Sequence, residues 1–349
     1  MTIKSFQIGS LRPKLPIIQG GMGVGISLHQ LAGSVALNGG IGIISAAQVG
    51  FKELDFISNT LEANFRALKS EIQKAKALAP SGIIGVNIMV ALKHYGEYVK
   101  KAVEAGAHLI ISGAGLPIEL PLFTKGTETK IAPIVSSGKA ASVICRMWDR
   151  KHQVAPDCVV VEGPLAGGHL GFKVEELDAH PDVLDIMKDV KAVLAEYETK
   201  YQKTIPVIVA GGFYSGEDVK VALEAGADGV QMGTRFVTTY ECDAPTSYKE
   251  TYINATKETI GIVKSPVGMP GRAILNSFIQ SPPGNKACLY HCIDKCPITT
   301  IPYCISKSLI SAVTGNLKDA LLFCGSNAYK ATKLEHVSDI FKEIETALS

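Results

Sequence analysis

Eight short runs dominated by Val and Ile, each leading into Gly, Ser or Asn, punctuate this chain at intervals long enough for a helix. They are PIIQGG (16–21), IGIISAA (41–47), IIGVNIM (83–89), HLIISG (108–113), IAPIVSS (131–137), CVVVEG (158–163), IPVIVAGG (205–212) and GVQMGTRF (229–236). Near-continuous apolar content, rather than alternation, is the pattern of parallel strands buried on both faces. The segments between them are rich in Ala, Leu, Lys and Glu. One of these, SGEDVKVALEAGADG (215–229), opens on Ser215 as an N-cap, carries Glu217 and Asp218 in its first turn and stops at Gly226. The ending A-G-A recurs in VEAGAH (103–108) and LEAGAD (223–228), so one βα unit repeats. Eight successive units without an antiparallel interruption predict an α/β fold, a (β/α)8 TIM barrel; a doubly wound open sheet is the alternative topology.

After residue 240 the rhythm stops. Gly/Pro-rich stretches at SPVGMPGRA (265–273) and SPPGNK (281–286) alternate with the apolar patterns SLISAV and LKDALLF, which need burial. Residues 1–240 are therefore expected to form the barrel, and 241–349 a helical insertion and C-terminal tail packed on it. A net charge of +2 gives no general field for nucleic acid or an anionic membrane, so neither is expected as a partner. The segment MTIKSFQIGSLRPKLPIIQGG lacks the layout of a secretory signal, and no apolar run approaches the roughly 20 residues of a bilayer span. The expectation is a cytoplasmic protein acting on a small molecule.

In such a barrel ligands bind at the carboxyl ends of the strands, and here those ends are glycine-rich and polar. AGG (210–212) and MGTR (232–235) close the last two strands, where bare backbone N–H groups and the following helix N-termini suit a phosphate; tight βα turns are the plainer role. At the first strand QGGMG (19–23) offers an approachable backbone and a soft side chain, Met22, for a planar ring. Asn87 ends the third strand, and Lys139 follows Ser136, Ser137 and Gly138 after the fifth. In EGPLAGGHLGF (162–172), after the sixth strand, His169 stands between glycines that allow close approach, the position for acid/base work by an imidazole.

Taken in order, PIIQGGMG, GVN, EGPLAGGH, VIVAGGF and QMGTRF resemble the nitronate monooxygenase family, formerly 2-nitropropane dioxygenases, which includes FMN-dependent enoyl-ACP reductases. The resemblance covers residues 13 to about 280 and implies a TIM barrel with non-covalent FMN. Gly211, Gly212, Gly233 and Thr234 would hold the FMN phosphate, and Gly21, Met22 and Asn87 would line the isoalloxazine or ribityl chain. Lys139, Gly167, Gly168 and Gln231 would be further contacts, with His169 as the catalytic histidine. The implied reaction is flavin oxidation of an alkyl nitronate, with O2 completing conversion to a carbonyl compound and nitrite. In the reductase alternative NAD(P)H supplies electrons for an enoyl thioester, although no clear NAD(P)H motif is present.

The tail departs from the family's needs. CLYHCIDKCPITTIPYC places Cys288, Cys292 and Cys296 at i, i+4 and i+8, approximately one helix face, with Cys304 beyond Pro297 and Pro302. The spacing C-x3-C-x3-C-x7-C matches neither the usual zinc patterns nor the ferredoxin runs. Small buried hydrophobes, or a thiol pair capable of redox change, are the favoured reading, and no metal is expected.

Overall fold

The computed structural model describes residues 6–349 except 180, 283, 285–287 and 295. Its barrel strands are β1 (Ile17–Gln19), β2 (Ile41–Ser45), β3 (Ile83–Met89), β4 (Leu109–Gly113), β5 (Lys130–Val135) and β6 (Val159–Glu162). A two-residue strand β7 (Gly168–His169) follows, then β8 (Val207–Ala210) and β9 (Gly229–Met232). Omitting β7, the strands pair in parallel in chain order, and β9 returns to β1 through Ile17↔Val230, so the sheet closes. All eight predicted runs are barrel strands; the open sheet is excluded.

Parity sorts the strand residues between two cores. Ile18, Ile43, Leu109, Ile111, Val160 and Ile208 point inward and fill the barrel axis. Their chain neighbours, such as Ile17, Ile44, Ile110, Val161 and Val209, point outward to the helices. Each strand thus needs apolar residues at every position, which is why alternation is absent. The helix His29–Leu37 lies so close on β2 that a Cβ at Gly42 would sit 1.8 Å from the carbonyl oxygen of Ala32, a position only glycine fills. Ser215 caps the helix Gly216–Glu224 as predicted, its hydroxyl accepting from the Asp218 N–H at 3.2 Å.

Past residue 240 the chain is only partly helical. The hairpin β10 (Ile260–Lys264) and β11 (Pro270–Ile274) joins β7 in a small antiparallel sheet. SLISAV lies in the helix Ile305–Val313, but LKDALLF does not continue as a helix beyond one short turn. Instead the Ile274 N–H donates to the Leu322 carbonyl at 2.9 Å and the Cys324 N–H to that of Arg272 at 3.1 Å, so this stretch runs extended beside β11. The last helix, Val337–Leu348, buries Ile340, Phe341 and Ile344 against the barrel exterior. The helix face expected for Cys288, Cys292 and Cys296 is not formed either: among the described residues of 281–304 there is no helix. Backbone bonds to the loop after β3 take its place, from the Lys93 N–H to the Cys292 carbonyl at 2.9 Å and from the Asp294 N–H to that of Ala91 at 3.0 Å. Among the described residues no helix is long and apolar enough to cross a membrane.

Candidate active site at the barrel mouth

Strand register brings three polar side chains to the carboxyl end of the barrel. Asn87, Glu162 and Gln231 share the inward parity of Ile43, Val160 and Ile208, and Glu162 pairs with Ala210, which pairs with Gln231. Gln231 Oε1 is buried without a hydrogen-bond partner among the described residues. An orphaned acceptor at the top of a barrel awaits a donor, because leaving it unpaired costs about 1–3 kcal/mol. Desolvation pushes the Glu162 carboxyl up to about 8, so it is protonated at neutral pH and can donate a hydrogen bond.

The glycine-rich loops surround these groups. A Cβ at Gly21 would lie 2.4 Å from Asn87 Cβ, and one at Gly233 would lie 3.4 Å from Met22 Sδ, so the β1 and β9 loops face each other across the mouth. The Met22 turn is held by its N–H donating to Ser27 Oγ at 2.8 Å. Gly211 and Gly212 have φ of +97° and +94°, and a Cβ at Gly211 would come 2.9 Å from the Ala166 nitrogen. The stretch 163–168 therefore lies directly over the end of β8. Thr234 accepts from the Gly325 N–H at 2.9 Å, leaving its own O–H to donate, and Asn327 Nδ2 donates to the Gly212 carbonyl at 2.6 Å. The helix after β9 is a single turn, Thr234–Val237, shorter than the full helix whose N-terminus the sequence leads one to expect there. Arg235 is not part of this cradle; it turns outward to Glu335 and Glu343, at 3.0 and 2.8 Å.

His169 lies on β7, opposite Gly271 of β11. Its Nε2 is 2.7 Å from Ser265 Oγ and its ring meets Phe323 edge-on at 5.0 Å between centroids. Burial pulls its pKa down to about 4, so the imidazole is neutral across the physiological range. Ser136, just past β5, donates to the Gly171 carbonyl at 2.7 Å, while Gly167 packs against Cys324 and Gly325 beside Thr234. The loop bearing His169 thus bridges the mouth from β9 to β5. Arg272 of β11 locks it, its Nη1 donating to the Pro164 and Ala166 carbonyls at 2.6 and 2.7 Å.

Of the residues singled out in the sequence, Gly21, Met22, Asn87, Gly167, Gly211, Gly212, Gln231, Gly233 and Thr234 are tied around one mouth, with Gly168 and His169 on the strand above it. Lys139 is exposed on the first turn of the helix Gly138–His152, just past β5. Sequence reasoning passed over Glu162, Ser265, Arg272 and the segment Gly325–Asn327. Glu162 had a usable signal, its place at a strand end; the others reach the site only through tertiary contacts. Ser326 Oγ, next to Gly325, is also buried without a hydrogen-bond partner among the described residues. A separate open cleft of about 540 Å3 between the helices Gly216–Glu224 and Val337–Leu348 is lined by Glu217, Asp339 and Glu343 against the single cation Lys342, a poor host for a phosphate.

A family model described as nitronate monooxygenase matches residues 4–346. A probable nitronate monooxygenase of Staphylococcus aureus is 28% identical over 284 residues, 76% of this chain and 76% of the relative. A 5-hydroxy-7a-methyl-1-oxo-octahydro-1H-indene-4-carboxyl-CoA dehydrogenase of Rhodococcus jostii is 28% identical over 266 residues, 76% of this chain; the match spans only 64% of the dehydrogenase's length. Among solved structures, FabK from Thermotoga maritima aligns over 96% of this chain and 93% of its own, with a TM-score of 0.71 and 25% identity.

Proposed function

Since the chain belongs to the nitronate monooxygenase family, we propose that its barrel mouth binds FMN and that it is an FMN-dependent oxidoreductase converting alkyl nitronates with O2 to a carbonyl compound and nitrite. The observation that carries this reading is the mouth itself, with unpartnered Gln231 Oε1 and neutral Glu162 facing inward under a loop that presents His169. These residues fit the flavin. Backbone N–H groups at Gly211, Gly212 and Gly233 and the free O–H of Thr234 would receive the phosphate. Gly21, Met22 and Asn87 would border the ring and ribityl chain, and Gln231, Glu162, Gly167 and Gly168 would complete the enclosure. Lys139 would contribute at most a rim charge. When bound, the flavin supplies the capacity to take an electron pair from the substrate and return it to O2.

What the protein itself contributes is placement and proton handling. Phe323 and Ser265 hold the His169 ring in one orientation, and the neutral imidazole offers one donor and one acceptor nitrogen. With its pKa near 4, His169 is a weak base toward a carbon-bound proton, which favours substrates arriving already ionised, as nitronates, over neutral nitroalkanes. The second reading, a reductase of enoyl thioesters using NAD(P)H, is supported by the likeness to FabK over nearly the whole chain.

Anaerobic mixing separates the two. Yellow protein that releases FMN on denaturation, and whose flavin is reduced faster by propionate 3-nitronate than by NAD(P)H, is the expected result. His169→Ala should slow reduction by a neutral nitroalkane more than by the nitronate. NAD(P)H-dependent turnover of crotonyl thioester without nitronate reactivity would reverse the order of the two readings. Colourless protein that cannot be reconstituted with FMN would defeat both.

A further inference from the structure

The eight cysteines fall into two populations, and none forms a disulfide. Cys145, Cys158, Cys242 and Cys324 are buried singly in the hydrophobic cores, where a thiol packs as a small apolar group. Cys288, Cys292, Cys296 and Cys304 are only half-buried, and all four line one small enclosed cavity of about 20 Å3, together with Pro266 and Val267. Packing does not require four thiols to converge from 17 residues of irregular chain onto one cavity.

The walls of this cavity are anchored. The Cys292 backbone is bonded to the loop after β3, and its Sγ lies 2.9 Å from Ser306 Oγ. Cys304 begins the helix Ile305–Val313, its carbonyl accepting from the Ser308 N–H at 3.1 Å. Among the described residues no group of three His, Cys, Asp or Glu side chains is placed to hold a single metal ion. Thiols that surround a common cavity without closing on one point suit a polynuclear core, in which each sulfur meets its own metal atom, better than tetrahedral zinc with sulfurs about 2.3 Å from one centre.

We propose that Cys288, Cys292, Cys296 and Cys304 are the four thiolate ligands of an iron–sulfur cluster. Each thiol gives its proton to solvent as its sulfur takes an iron atom, with ferric and ferrous iron in equal amounts and sulfide as the co-reactants, so that the core assembles at its oxidised level with no further electron transfer. The cluster adjoins the candidate active site: Pro266 and Val267 of its wall directly follow Ser265, whose Oγ is bonded to His169. Loading it would stiffen the β10–β11 turn and hold Ser265 against the imidazole.

The test does not depend on the flavin reading, because metal is measured after flavin release. Protein isolated without oxygen, or reconstituted with ferric and ferrous iron and sulfide, is analysed for iron, zinc and acid-labile sulfide, with absorption and electron paramagnetic resonance spectra before and after dithionite. The expected result is about four iron atoms per chain, matched by sulfide, with visible absorption that outlasts flavin removal and bleaches on reduction. C292S and C304S should lose most of the iron, and C145A should keep it, with far-ultraviolet circular dichroism reporting the fold of each. Zinc without sulfide, no metal after reconstitution, or iron that persists when all four cysteines are serine would each overturn the proposal. Should the variants fail to fold, the wild-type stoichiometry still decides.

Discussion

His169 and Glu162 leave their ordinary titration ranges in opposite directions, the imidazole falling to about 4 and the carboxyl rising to about 8, both by desolvation. Each is therefore uncharged at pH 7, and each makes stability depend on pH with its own sign. For His169, depressed from 6.5, the contribution is complete above 6.5 and is lost as pH falls through 4. For Glu162, raised from 4.5, it is complete below 4.5 and is lost as pH rises through 8. Between 6.5 and 8 only Glu162 acts, so flavin-free wild type should lose stability over that window while E162Q does not. The gap at pH 8 should be on the order of 1 kcal/mol, about 2 °C in Tm, read by urea titration and scanning calorimetry. A wild type with no decline over that window would remove the protonated Glu162 from the picture. His169 could be read from its glycine-flanked motif. The protonation of Glu162 could not, because it depends on a desolvation that exists only once the barrel has closed around the strand end.

The hairpin β10–β11 is the element that turns a strand-end histidine into a positioned one. It pairs with β7, carries Ser265 at its turn, and sends Arg272 into the loop beneath. Arg272 is half-buried with no carboxylate partner among the described residues, and desolvation pulls its pKa below the usual guanidinium value; its partners are two carbonyls. R272M should cost roughly 2–3 kcal/mol, the range for charge-assisted hydrogen bonds, and should speed amide hydrogen exchange in residues 163–171. Its turnover should fall together with the ordering of that loop, while R272K retains part of both. Unchanged exchange in R272M would mean that the loop is held by other contacts. In the sequence SPVGMPGRA reads only as a Gly/Pro-rich break, since period-two alternation over five-residue strands is too short to outweigh it.

At the scale of the whole molecule, the C-terminal third closes the barrel from outside. Arg235, at the end of β9, is buried and meets Glu335 and Glu343 with Nε and Nη2, while its Nη1 donates to the Tyr214 carbonyl at 3.1 Å. This triad ties the cradle strand to the helix Val337–Leu348, which Phe341 packs against Phe236 at 6.2 Å between ring centroids. R235A leaves the mostly buried Glu335 without its cation, whereas Glu343 stays solvated and keeps the Gly216 N–H at 2.9 Å; the loss should cost roughly 2–3 kcal/mol, measured as a lower urea midpoint, with FMN retained less well because Gly233 and Thr234 directly precede it. Removing Glu335 as well should restore part of the stability; a double variant no better than R235A would show that the cost is cavity, not charge.

Local chemistry was enough to determine the barrel and its eight strand positions, and to single out the glycines and the histidine that the fold gathers at its mouth. Strands buried on both faces must be apolar throughout, and a backbone that approaches a ligand must lack Cβ, and both requirements are written residue by residue. Tertiary structure alone decided that Ser265, Arg272 and Gly325 reach the mouth, that Glu162 is desolvated, and that four cysteines from an irregular tail line one cavity. Those relations join residues up to about a hundred positions apart, and no local pattern encodes a contact whose two halves are brought together only by closure of the barrel.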